Sequence, residues 1–185
     1  MVVRPPGGAR RGVRACGLTV IIAITVGCAS STADPVHRVN EPLPVLTGMD
    51  LQGRPLSTRD RAGSVLVINA WSVTCTYCEE ETPMLVGLSK RYASQGVRFL
   101  GIDHVDPIGE AKRFVQRYDV PYPSFADQAG RFAAVLGYPG LPATYVVDAA
   151  GTIRFAIIGP STEAMLVPLI DEVLGEVTPT PSAAA

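Results

Sequence analysis

The sequence predicts an α/β fold: a mixed central β-sheet flanked by helices, with an N-terminal β-hairpin extension. Three observations predict it. Val65 to Ala70 is continuously apolar apart from Asn69, as a strand buried on both faces must be. Val97 to Asp103 repeats that pattern after a helix-length interval, which implies two strands joined by a helical crossover. Ala143 to Asp148 and Thr152 to Ile158 flank Ala149-Ala150-Gly151 and read as a hairpin, which makes the sheet mixed.

Taken in order, residues 1–28 read as a leader, with Arg4, Arg10, Arg11 and Arg14 ahead of the apolar stretch Leu18 to Val26 and then small residues. A membrane-spanning helix needs about 20 apolar residues, whereas the uncharged run from Ala15 to Ala33 turns polar and small in its last third. Export with processing is the reading taken. Thr25-Val26-Gly27-Cys28 resembles a bacterial lipoprotein box, in which the signal is cut before the cysteine and that cysteine is lipidated; Thr25 departs from the usual Leu. Cleavage after Ser31-Thr32-Ala33 and an uncleaved anchor stay open as alternatives, and Arg10-Arg11 also suits twin-arginine export. Residues 29–41, rich in small, polar and proline residues, read as a tether, 42–176 as one domain, and 177–185 as a disordered tail.

Within the domain, Pro44 to Thr47 and Pro55 to Ser57 flank Asp50-Leu51-Gln52-Gly53 and read as a hairpin. Glu79 to Ser94 carries Met84, Leu85, Leu88 and Tyr92 at helical spacing, with Pro83 expected to interrupt it. Gly109 to Tyr118, Arg131 to Leu136 and Thr162 to Leu174 supply three more helices.

A chain of 185 residues with 16 basic and 17 acidic side chains is near neutral, and its basic residues beyond the leader are scattered. Nucleic acid is therefore excluded as a partner class. A domain of this size buries a core without disulfide staples, so its cysteines are not there for stability. Cys75-Thr76-Tyr77-Cys78 stands between a buried strand with Trp71 at its end and the start of a helix. Unpaired backbone N–H groups and the positive dipole end favour thiolate there, which makes Cys75 the candidate nucleophile. Cys78, one turn along the same face, is placed to attack a mixed disulfide on Cys75 and release the substrate. Half a zinc site is the competing reading, but the remaining candidate ligands are Cys16, Cys28, His37 and His104, without a second pair or a cluster. Neither a metal nor any other cofactor is called for. His104 follows a strand end, lacks a motif and is expected on the surface or in a loop.

These residues resemble the thioredoxin-fold proteins, and among them the membrane-tethered TlpA/ResA-like thiol-disulfide oxidoreductases of bacteria. The resemblance rests on Leu51 to Leu56, on Val65 to Trp71 leading into the dithiol, on Gly96 to Asp103, on Val120 to Ser124 and on Gly140 to Asp148. It implies that Pro142 is a cis-proline beside the dithiol and that Leu141 presents backbone groups to an extended substrate segment. Trp71, Thr74, Thr76, Tyr77 and Leu141 are the implied substrate groove. Cys75-x-x-Cys78-x-x-Glu81-x-Pro83 matches the family signature, in which the glutamate assists proton transfer; the bland alternative is that Glu79, Glu80 and Glu81 complement the helix dipole. Thr74 and Tyr77 depart from the family's aromatic before the first cysteine and proline before the second, which puts a strongly reducing potential in doubt.

The expected function is extracytoplasmic exchange of disulfides with client proteins, reductive as in cytochrome c maturation. Its partners are protein disulfide and dithiol clients, a membrane electron-transfer partner, and the membrane itself through a lipid on Cys28. Oxidative disulfide donation or isomerisation is the runner-up. A thiol peroxidase is a further alternative, with Ser72 three residues before Cys75 but Ile68 in the place of the peroxidase proline. A copper-handling module is another, though no histidine lies in the half of the chain around Pro142.

Overall fold

The computed structural model describes residues 38–177; the leader, Cys16, Cys28, His37 and most of the tail and tether lie outside the described residues. The element order is β1 (Thr47–Met49), β2 (Pro55–Ser57), β3 (Val65–Trp71), α1 (Thr76–Tyr92), β4 (Val97–His104), α2 (Ile108–Arg117), β5 (Ser124–Asp127), α3 (Arg131–Leu136), β6 (Ala143–Val147), β7 (Ile153–Ile158) and α4 (Glu163–Val177), with short 3-10 turns at Thr58–Arg61 and Ala93–Gln95. The five-stranded sheet runs β5-β4-β3-β6-β7, and β1 and β2 form a separate antiparallel hairpin. β3 is central, parallel to β4 and antiparallel to β6, and all seven of its residues are buried.

Strand alternation divides the core into two layers. Val65, Val67, Phe99 and Val146 pack under α1 and α4 through Leu85, Leu88, Leu166 and Ile170. Leu66, Ile68, Leu100 and Tyr145 pack under the hairpin and α3 through Leu46, Leu56, Phe132 and Leu136. Trp71, Cys78, Ala111 and Phe114 make a third cluster, where α1 and α2 meet the end of β3.

Three expectations change. β5 is an additional strand, pairing parallel to β4 from Ser124 opposite Gly101 to Asp127 opposite His104. Its four residues begin and end on polar side chains and show no apolar alternation, so only its neighbour in space reveals it. The first long helix starts at Thr76, not near Glu79, because Cys75 is its N-cap and the Cys75 Sγ accepts the Cys78 amide at 3.2 Å. It also runs through Pro83, which is exposed and gives up a single backbone bond without ending the helix.

Folded structure begins ahead of Pro42. The Asn40 amide donates to the Ile153 carbonyl at 2.7 Å, and the Ile153 amide returns a bond to Glu41 at 2.9 Å. These contacts lie at the β6–β7 turn, beyond Val147, whereas Ala143 at the other end of β6 adjoins Leu141 and Pro142.

Candidate active site

A disulfide joins Cys75 and Cys78, with their Cα atoms 5.2 Å apart. The two sulfurs differ in access: Cys75 is half-buried, while Cys78 is 1 % exposed within the Trp71–Phe114 cluster. Helix geometry produces that difference, since Cys75 caps α1 at its mouth and Cys78 lies on the face that α1 turns toward the sheet.

Cys75 opens on a depression of about 610 Å³ that brings together Thr74, Thr76, Tyr77 and Leu141 with Ser72, His104, Val105, Asp106 and Pro107. Tyr77 is 57 % exposed at its rim. The Leu141–Pro142 peptide bond is cis, Leu141 is half-buried against the depression, and Pro142 is buried with its carbonyl accepting the Gly159 amide at 2.8 Å. Trp71 is not on this wall. It is 4 % exposed and stacks on Phe114 with ring centroids 4.7 Å apart, so its large apolar area belongs to the cluster that holds Cys78. His104, expected on the surface or in a loop, ends β4, half-buried, with Nδ1 3.3 Å from the Tyr138 hydroxyl, and it lines the depression.

Glu81 is 5 % exposed and accepts three bonds, from Asn69 Nδ2, the Ser161 amide and the Ser161 hydroxyl, each at 2.8 Å. Asn69 also donates to Thr144 Oγ1 at 3.0 Å. Burial pushes the Glu81 carboxyl above the usual carboxylate range, and the bonds from Ser161 and Asn69 oppose that rise. No thiol is among the hydrogen-bond partners shown for Glu81; it lies one turn along α1 from Cys78.

Sequence reasoning missed Asn69, Thr144 and Ser161 as the support of Glu81. Asn69 carried a signal, as the lone polar residue in an apolar run, whereas Ser161 joins Glu81 across 80 positions. It also missed the opposite flank. Asp106 Oδ1 accepts the Ser72 hydroxyl at 2.8 Å and Oδ2 the Val73 amide at 2.7 Å, fixing the segment between β3 and Cys75. The chain reaches that place by turning at Val105, whose φ of 64° is an uncommon conformation for a β-branched residue. Among the described residues no group of three His, Cys, Asp or Glu side chains is arranged to hold a metal ion, and no helix is long and apolar enough to cross a membrane.

With that geometry in hand, residues 39–156 match the AhpC/TSA family. The chain is 27 % identical over 148 residues to the thiol-disulfide oxidoreductase ResA of Bacillus thuringiensis subsp. konkukian, covering 80 % of this chain and 83 % of that one. It is 33 % identical over 115 residues to the thiol:disulfide interchange protein HelX of Rhodobacter capsulatus, covering 62 % of this chain and 63 % of that one. A solved thiol:disulfide interchange protein of the thioredoxin family from Chlorobium tepidum superposes with a TM-score of 0.65 at 27 % identity, over 72 % of this chain and 96 % of that one.

Proposed function

The chain belongs to the AhpC/TSA family, and from that premise we propose that it reduces disulfides of client proteins outside the cytosol, through Cys75 and Cys78. It is a thiol-disulfide oxidoreductase of thioredoxin-like fold, and its clients are protein thiols and disulfides. The observation that carries the proposal is the asymmetry of the Cys75–Cys78 disulfide: one sulfur faces an open depression at the mouth of a helix, the other is sealed behind it.

The exchange proceeds in two displacements. The Cys75 thiolate attacks one sulfur of the client disulfide, and the departing client thiolate takes up a proton. Cys78 then attacks the Cys75 sulfur of the mixed disulfide, closes the Cys75–Cys78 bond and releases the second client thiolate. Two electrons have passed from the protein to the client. Glu81 receives the Cys78 proton, a role supported by its place one turn along α1 and by a burial-raised affinity for protons. Leu141, held by the cis bond to the buried Pro142, lines the depression together with Thr74, Thr76 and Tyr77, and an extended client segment lies there.

A dithiol donor at the membrane restores the reduced state. A lipid on Cys28 holds the protein there, and residues 40–43 pair at the β6–β7 turn, at the end of β6 away from Leu141 and Pro142. Peroxide reduction is disfavoured by one observation: the Ser72 hydroxyl, which would stand in for the peroxidase Ser or Thr, donates to Asp106.

The test is the equilibrium reduction potential of the pair against a thiol buffer, followed by thiol labelling. A value near or below about −250 mV is expected for a reductant of clients, and a value near about −120 mV would overturn that direction in favour of a disulfide donor.

A further inference from the structure

The end of β4 carries a second acidic pair that dithiol exchange, as set out above, does not use. Asp103 is 0 % exposed, and neither of its carboxylate oxygens has a hydrogen-bond donor. An ionised carboxylate only accepts, so it would stand desolvated and unsupported. Asp106, itself 5 % exposed, lies within hydrogen-bonding reach of it. Two carboxylates in contact in a dry site cannot both carry a charge cheaply, and a proton on one turns their repulsion into a hydrogen bond.

Asp106 is also the residue that clamps Ser72 and Val73. The Ser72 carbonyl in turn accepts the Cys75 amide at 3.1 Å, and its hydroxyl accepts the Thr74 amide at 3.2 Å. A line of hydrogen bonds thus runs from the acidic pair through the 72–74 segment to Cys75, on the wall of the depression where Cys75 opens.

We propose that Asp103 is a positioning residue for Cys75: as a neutral acid it donates its proton to Asp106, so that the pair bears one negative charge and Asp106 keeps its hold on the segment before the nucleophile. Burial pushes the Asp103 carboxyl up to about 8, and the hydrogen bond and charge of Asp106 and the charge of Asp127 push the same way. The charged groups facing Asp103 are therefore carboxylates: Asp106 from the loop after β4 and Asp127 from the end of β5, whose oxygens accept the Arg131 and Phe132 amides of α3 at 2.9 and 2.8 Å. Trp71, its register partner on β3, is uncharged, as are Ala111 and Phe114 of α2 in the same cluster. When Asp103 ionises, a second negative charge enters the pair, the clamp on 72–73 loosens, and the Cys75 thiolate is disfavoured. The reactivity of Cys75 then falls short of simple thiol titration above neutral pH.

The proposal rests on Cys75 being the reacting thiol, which is checked separately: C75A must lose client reduction. The test of the pair itself is the pH profile of Cys75 alkylation in the reduced full chain, read at the Cys75 peptide by mass spectrometry, for wild type, D103N and D103A. Asparagine keeps a donor toward Asp106 and cannot ionise. We expect D103N to match wild type at pH 6.5 and to react faster than wild type at pH 9, by at most about fivefold, the ceiling set by a coupling just under one pKa unit. D103A, with no donor at any pH, should lack the wild-type rate already at pH 6.5. Superimposable profiles for wild type and D103N, both folded, would overturn the proposal, as would a D103N rate already altered at pH 6.5. Unfolding by urea supplies the second readout. A folded-state pKa raised above the unfolded one gives stability that is present at acid pH and lost as pH rises toward 8, so wild type should lose stability relative to D103N between pH 5 and 8. A constant difference across that range would also overturn it.

Discussion

Glu81 and Asp103 are both buried carboxyls flanking the dithiol, 5 % and 0 % exposed, yet the fold provides for them in opposite ways. Glu81 meets three donors from Asn69 and Ser161. Asp103 meets none and has a second carboxyl beside it. Burial raises the proton affinity of both, but around Glu81 the donors pull it back, while around Asp103 every neighbour adds to it. Depth alone therefore does not decide what a buried acid does. The donors around it do: three converge on Glu81, as the proposed exchange of a proton with Cys78 requires, and none on Asp103, as the proposed retention of a proton beside Asp106 requires.

The largest break in this contrast comes from Glu81→Gln. Glutamine keeps the size of the side chain but places an NH₂ donor where donors from Asn69 and Ser161 already converge, and it removes the base. Resolution of the mixed disulfide by Cys78 should slow by about 10²-fold, the usual worth of a positioned general base. Its pH dependence should flatten as well, measured by quenched-flow trapping of a mixed disulfide with a model client. An unchanged rate and profile would reduce Glu81 to a structural carboxylate. In wild type, stability tied to Glu81 is present at acid pH and declines as pH rises through its elevated pKa, and the substitution should remove that slope.

Gly101→Ala sharpens the other side. A Cβ there would run into Ser124 Oγ and lie 2.8 Å from Trp71 Nε1, on the same strand face as Asp103 two residues on. Overpacking of this kind costs about 1–3 kcal/mol. Denaturant unfolding should show that loss, and the pH profile of Cys75 alkylation should shift with it, because Trp71 and Asp103 are register partners. An alanine tolerated without loss would mean that Ser124 and Trp71 have room to yield, and that the surroundings of Asp103 are softer than drawn.

The same contrast explains what the sequence made legible. β3 and β4 announce themselves because strands buried on both faces must be continuous apolar runs, and the dithiol because two cysteines three apart at a strand-to-helix junction have few other uses. Asn69 was visible as a polar interruption without a stated purpose. Its purpose needed Glu81, 12 positions away, and Thr144, 75 away. Asp106 and Ser72 meet across 34 positions and only because the chain turns at Val105. No local period encodes such a contact. β5 was invisible for a related reason: four residues with polar ends acquire strand character from β4 alongside, not from their own pattern.

Asp50 gives the smallest effect and the opposite sign. It is 4 % exposed, as buried as Glu81, and lies against β5 through a bridge to Phe125. Burial pushes its carboxyl up, but the amides of Arg54 and Gln52, at 2.8 and 2.9 Å, and the Arg54 side chain at 2.8 Å outweigh it, and the net direction is down. A depressed folded-state pKa gives stability that is present above the unfolded value and lost as pH falls through the folded one. Asp50→Asn should therefore cost about 1 kcal/mol near neutral pH, discounted because the Arg54 side chain is 69 % exposed, and almost nothing near pH 2. Urea unfolding of the two proteins at both pH values measures the difference directly. A cost that persists undiminished at low pH would assign the contribution of Asp50 to the shape of the β1–β2 turn, and would remove it as the donor-rich limit of the series that runs through Glu81 to Asp103.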